Sequence, residues 1–194
     1  YTDWDDALLY TADGGGDNVH YSVRVFKDGK LKDIYGDDSW LLKPLRIDSL
    51  GLAYGYTTQA LGFRINRHEG KLTGLAAYGK PTVYDEIARH FRIDKSGEIF
   101  SDFPTNKAMR EEIFRIAKDQ PRENVAASIQ KVLEDFILKS VKTYVDKYKV
   151  KHLALAGGVF ANVRLNKLLS EKAGVEEVFI FPAMGDDGLA VGGG

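Results

Sequence analysis

Residues 153–166 read LALAGGVFANVRLN. An apolar run breaks at Gly157 and Gly158 and resumes with helical spacing, so a strand hands over to a helix through two bare backbone positions. Asn162 is placed to cap that helix, and Asn166 lies one turn further along its face. Two readings stand side by side: a nucleotide lying over bare backbone at a helix N-terminus, or tight packing of helix on strand. Neither G-x-G-x-x-G nor a Walker A lysine pattern occurs, so the stretch is neither a Rossmann fingerprint nor a P-loop.

Outward from this stretch, the reading is a strand at 152–156, a helix at 162–172 closed by Gly174, a strand at 177–181 and a helix start at 186–192. Upstream, Val125, Ile129, Val132, Leu133, Phe136, Ile137, Val141, Tyr144, Val145 and Tyr148 recur at helical spacing and predict a long helix over 121–148. Pro121 and Glu123 suit its first turn, and Lys147 and Lys149 its last. At the front, ALLYTA, HYSVRVF and LKDIYG read as three strands, the last two joined by the hairpin turn Lys27-Asp28-Gly29-Lys30. Between these regions, 48–62 reads as a helix, 71–79 and 82–91 as short helices, and 92–107 as a loop with one short hairpin. Three meandering strands followed by alternating strands and helices predict an α/β fold: a mixed sheet with helices packed on it, the pattern of a ribonuclease-H-like lobe.

The 194 residues are long enough for one globular domain or two small lobes. Lys plus Arg number 27 and Asp plus Glu 28, so no basic field invites nucleic acid or an anionic membrane. Cysteine is absent, which excludes disulfides and thiolate chemistry and permits a cytoplasmic setting. No apolar run approaches membrane-spanning length. The chain starts close to a strand and stops inside an expected helix, so the reading is of a fragment.

Four constellations carry chemistry. In TADGGGDN, 11–18, a strand delivers Asp13 and then Gly14, Gly15 and Gly16, whose amides can converge on a phosphate while Asp13 or Asp17 holds a metal; the alternative is a plain turn. Gly157, Gly158 and Asn162 form the second. In FPAMGDDGLAVGGG, 181–194, Asp186 and Asp187 follow a strand end, as helix caps or as cation ligands. In RHEGKLTGLAAYGKP, 67–81, His68, Glu69 and Lys71 precede small residues, and a lysine there can pair with phosphate. The four histidines, at 20, 68, 90 and 152, show no ligand-type spacing on one helix.

ADGGGD, HEGKLTGLAAYGKP, LALAGGVFANVRLN and FPAMGDDGLAVGGG, in this order, closely resemble the NodU/CmcH-type O-carbamoyltransferases over nearly the whole chain. The resemblance implies the actin/sugar-kinase-like ATPase fold, built of two ribonuclease-H-like lobes. It implies a reaction in which carbamoyl phosphate and ATP give carbamoyladenylate, whose carbamoyl group passes to a hydroxyl of a sugar or natural product. By position it implies adenosine at Gly157, Gly158 and Asn162, and phosphate near Asp13, Gly14, Gly15 and Gly16. It places a divalent metal (iron, zinc or magnesium) on Asp186, and Lys71 and His68 in the reactive wall. Two family features are missing from this sequence: the upstream H-x-x-x-H metal motif and the domain that makes carbamoyladenylate. The expectation is therefore the C-terminal lobe of the actin-like domain, with a helical insertion at about 48–120 and little activity alone. The alternatives are another enzyme on this fold, either a sugar kinase or a tRNA threonylcarbamoyl transferase, and a non-catalytic nucleotide-binding module.

Overall fold

The computed structural model describes residues 2–16 and 18–185, so Asp17, Asp186, Asp187 and the helix expected at 186–192 lie outside the described residues. Five strands form one mixed sheet: β1 (Asp6–Gly16), β2 (Val19–Lys27), β3 (Lys30–Tyr35), β6 (His152–Ala156) and β7 (Glu177–Ile180), in the order β3-β2-β1-β6-β7. The first three run antiparallel to one another, whereas β6 is parallel to β1 and β7 to β6. This antiparallel meander continued by parallel strands is the ribonuclease-H-like lobe of the actin/sugar-kinase-like fold. Period two explains β1: Leu8, Tyr10 and Ala12 are buried while Leu9 and Thr11 are only half-buried. The β2–β3 turn puts both Asp28 and Gly29 at positive φ, which matches the right-handed twist of a two-residue hairpin.

Between β3 and the second half of the sheet lie α1 (Leu50–Ala60), α2 (Glu69–Leu75), α3 (Tyr84–Ala88), a small hairpin of β4 (Phe91–Ile93) and β5 (Ile99–Ser101), and α4 (Asn106–Ala117). The hairpin starts at Phe91, the last residue of the helix expected at 82–91, and otherwise falls in the expected loop at 92–107. Helix α4, by contrast, is an addition to the sequence reading. Thr105 caps it by accepting from Ala108 N, and Met109, Ile113 and Ile116 form its buried stripe. The long helix α5 (Arg122–Tyr148) spans 27 residues, about 40 Å at the usual rise, and ends at Lys149 in the left-handed conformation. Its apolar stripe packs against α1, α3, α6 (Val163–Lys172) and β1, which makes it the spine of the core.

The start of α1 is tied down from three sides. Ser49 Oγ accepts from Leu52 N as the N-cap and donates toward the carbonyls of Asp13 and Gly14, at 3.2 and 3.1 Å. The buried Asp48 pairs with Arg46 at 2.5 Å and accepts from Ser101 N at 2.6 Å. Burying a carboxylate is costly unless it is paired in this way. The result sets the N-terminus of α1 directly under the tip of β1.

Candidate functional site

Because β1 and β6 are parallel, with Thr11 opposite Ala156, the glycine tip after Ala12 and the glycine corner after Ala156 emerge at the same end of the sheet. There they meet the N-terminus of α1, the turn before α2 and the cap of α6 around one cavity of about 430 Å³. That volume is within the roughly 300–1,000 Å³ of small-molecule sites. Gly14, Gly158 and Asn162, three of the residues singled out from sequence, line it together.

The other singled-out glycines have different surroundings. Gly157 has φ 98°, and a Cβ there would run into the backbone of Ala12. It is the close approach of two strand ends rather than part of the cavity wall, so the packing alternative holds at 157 while the open backbone is at 158, where a Cβ would meet nothing within 4 Å. Gly15 has φ 122°, and a Cβ would strike the ring of His20, whose nitrogens lie 3.2 Å from Gly14 O and 2.7 Å from Arg46 O. Gly16 pairs with Val19 beyond a register irregularity in the β1–β2 ladder, and a Cβ on it would stand in open space. Asp13 Oδ1 accepts from Gly15 N at 2.6 Å, folding the tip into a local turn. Asp13 lines a separate small crevice beneath the tip with His20, Tyr21 and Asp48.

His68 and Lys71 do not line the cavity. Lys71 is exposed; its Nζ lies 3.4 Å from His68 Nε2, and His68 Nδ1 accepts from Arg64 N at 3.1 Å. The turn of α2 that carries them presents Asn66, Arg67, Glu69, Gly70 and Thr73 to the cavity instead. Glu69 is steered by Asn66 N, which donates to its Oε1 at 2.6 Å. Arg67 lines the mouth and makes no ion pair among the described residues. The segment 92–120 contributes nothing to the lining. Asp186 lies outside the described residues, and among those described no group of three or more His, Asp or Glu side chains is arranged to hold a metal.

Asn162 is more constrained than its sequence suggests. It caps α6 by accepting from Leu165 N at 3.1 Å, and it is 7% exposed. Its carboxamide also pairs with Gln130: Nδ2 donates to Gln130 Oε1 at 2.8 Å, and Gln130 Nε2 donates back to Asn162 Oδ1 at 3.1 Å. Tyr54 donates its hydroxyl to the same Gln130 Oε1 at 2.8 Å and lies 2.7 Å from Thr73 Oγ1. Burial pushes the Tyr54 phenol above its ordinary range, so it stays protonated and available as this donor. Sequence reading missed Tyr54, Thr73 and Gln130. The visible signal was Gln130, a polar residue inside the helical row Ala126, Leu133, Ile137 of the best helix in the chain.

The fold thus gives a ribonuclease-H-like lobe with a cavity of small-molecule size at its strand ends. The chain belongs to the carbamoyltransferase family: it matches the family described as Carbamoyltransferase N-terminus over residues 2–194. It is 32% identical to nodulation protein NolNO of Sinorhizobium fredii, over 97% of this chain and 28% of that protein. It is 36% identical to the uncharacterized protein MJ1058 of Methanocaldococcus jannaschii, over 96% of this chain and 32% of that one. A tRNA N6-adenosine threonylcarbamoyltransferase of Lacticaseibacillus casei is 31% identical over 95% of this chain and 53% of its own length. The chain thus spans about a third of the length of the first curated relatives it matches. Among the described residues no helix is long and apolar enough to cross a membrane.

Proposed function

We propose that this chain is the nucleotide-holding lobe of an O-carbamoyltransferase, which uses ATP and carbamoyl phosphate by way of carbamoyladenylate to carbamoylate a hydroxyl of a sugar or natural product. The observation that carries the reading is the meeting of Gly14, Gly158 and Asn162 around one cavity between bare backbone and the polar turn at 66–73. Bare glycine backbone admits a flat nucleoside closely, and the exposed Arg67 in the lining, which makes no ion pair among the described residues, suits the adenylate phosphate. In the transfer step the acceptor oxygen bonds to the carbamoyl carbon. The bond from that carbon to the phosphate oxygen breaks, AMP leaves with the electron pair, and the hydroxyl proton passes to a base or to solvent. The lobe's part is to hold AMP in place while charge builds on its phosphate.

The described residues contain no complete metal set, so no step of this reading passes through a metal. Asp186 remains the residue at which the family resemblance places one. The balance of 27 basic against 28 acidic residues favours a small-molecule acceptor over tRNA, although the Lacticaseibacillus relative keeps the tRNA reading as the second choice. A cytoplasmic setting fits the use of ATP and the absence of cysteine. The test is to incubate the complete protein that carries this chain with ATP, carbamoyl phosphate and a panel of hydroxyl acceptors, following pyrophosphate and product mass. Carbamoylated acceptor supports the reading. Pyrophosphate release with no carbamoylated product from any hydroxyl acceptor overturns it.

A further inference from the structure

Gln130 is 1% exposed in the middle of the apolar stripe of α5, where a leucine or valine would be the ordinary occupant. A buried carboxamide is retained at such a position only if its hydrogen-bonding capacity is met. Here all of it is met. Oε1 accepts from Tyr54 Oη at 2.8 Å and Asn162 Nδ2 at 2.8 Å, while Nε2 donates to Asn162 Oδ1 at 3.1 Å and Glu134 Oε1 at 2.8 Å. The four bonds reach α1 through Tyr54 and the cap of α6 through Asn162, and Tyr54 extends them to Thr73 of α2. Tyr54, Thr73 and Asn162 all line the cavity, whereas Gln130 does not.

We propose that Gln130 is a positioning residue of the site: it acts through Asn162 and Tyr54 to hold the polar wall of the cavity in one arrangement before a nucleotide arrives. Asn162 Oδ1 is already taken by Leu165 N and Gln130 Nε2, and its two Nδ2 protons face Gln130 Oε1 at 2.8 Å and Tyr54 Oη at 3.5 Å. Asn162 therefore shapes the wall rather than spending its amide on the ligand. The orientation of that amide is set by the reciprocal pair, because a flipped Asn162 would put donor against donor and acceptor against acceptor. The hydroxyl row ends at Thr73, whose Oγ1 lies 2.7 Å from Tyr54 Oη and 3.1 Å from the Glu69 carbonyl. One helix side chain thus couples the α6 cap to the turn that presents Arg67 and Glu69.

This inference rests on the nucleotide reading, and its test separates the two. In the complete protein, AMP and ATP affinities are measured by calorimetry, and the melting temperature by scanning calorimetry, for wild type, Gln130→Glu and Tyr54→Phe. At pH 8 the carboxylate of Gln130→Glu cannot donate to Asn162 Oδ1 or Glu134, and the AMP affinity is expected to fall about tenfold or more. At pH 5.5 a protonated carboxyl regains one donor, and the affinity is expected to return to within about threefold of wild type at the same pH. Tyr54→Phe, which keeps the ring and removes only the hydroxyl, is expected to lose affinity by about threefold to tenfold at both pH values. Variants that melt lower but bind AMP as wild type does would reduce the network to a fold-stabilising role and overturn the proposal. So would a loss in Gln130→Glu that is equal at both pH values. Wild-type protein that binds neither AMP nor ATP would instead overturn the nucleotide reading, and this inference with it.

Discussion

Gly157 and Ala12 approach so closely that a β-carbon on Gly157 would lie inside the Ala12 carbonyl. This contact joins the ends of the two central parallel strands, and Gly157 N completes the corner by donating to Met184 O at 2.7 Å. With φ at 98° as well, Gly157→Ala carries both a backbone penalty and a clash that a flexible side chain cannot relieve. The variant is expected to lose at least about 2 kcal/mol of stability in urea unfolding. Wild-type stability would show that the strand ends are not held this closely.

Gly158, one residue on, is the opposite case. It faces open space on the cavity side, so Gly158→Leu is expected to fold with a stability change within about 1 kcal/mol. Its side chain would occupy the space assigned to the nucleoside. AMP affinity is expected to fall about tenfold or more, read by calorimetry on the folded protein.

Gly51 repeats the strand-end contact on the helix side. A β-carbon there would meet the carbonyl of Asp13 and the amide of Gly14, so α1 lies against the tip of β1 without a side chain between them. Gly51→Ala has to push the tip away. The expected outcome is a loss of about 1–3 kcal/mol with a larger relative loss of AMP affinity, because Gly14 moves with the tip.

Ser49 serves the same joint by hydrogen bonding. It caps α1 and donates toward the Asp13 and Gly14 carbonyls. Ser49→Ala is expected to cost about 1–2 kcal/mol in thermal unfolding, and Ser49→Asp to keep the cap but repel the two carbonyls. If Ser49→Asp were as stable as wild type, the tie to the tip would contribute nothing.

Glu112 predicts an acid-sensitive clasp between α4 and the segment before β4. Hydrogen bonds from Arg115 first, then His90 and Arg89, hold its carboxyl down at about 2, below the ordinary 4.5; Arg115 also pairs with Glu86, and His90 with Asp102. A folded-state value below the unfolded one means that the stabilisation is complete above about pH 4.5 and is lost as pH falls towards 2. Partial exposure limits it to about 1–2 kcal/mol. Glu112→Gln is expected to lower stability at pH 7 and flatten the decline between pH 5 and pH 2, as measured by urea unfolding at each pH. An unchanged slope would refute the pairing.

Sequence alone carried the strands, the long helix and the glycine corners, because these are local matters. The apolar, strand-type run at residues 7–12, the Asp28-Gly29 turn and the 3.6-residue stripe of α5 each need only neighbours to be read. Helix α4 was missed because its cap, Thr105, sits at the end of a turn-rich polar stretch and its stripe has only three buried positions. The family could be placed from the motifs before any coordinates, and the match over residues 2–194 bears that out.

Which glycine faces a ligand, and which faces another strand, was decided only in three dimensions. Gly157 and Gly158 are neighbours with the same side chain, yet one touches Ala12 and the other empty space, because the parallel pairing of β1 with β6 sets which of them comes opposite Ala12. In the same way nothing local marks Gln130 as the partner of Asn162, 32 residues away, or of Tyr54, 76 residues away. Periodicity reports which face of an element is buried. Which buried polar groups satisfy one another depends on how helices from distant parts of the chain are brought together, and that depends on the packed sheet beneath them.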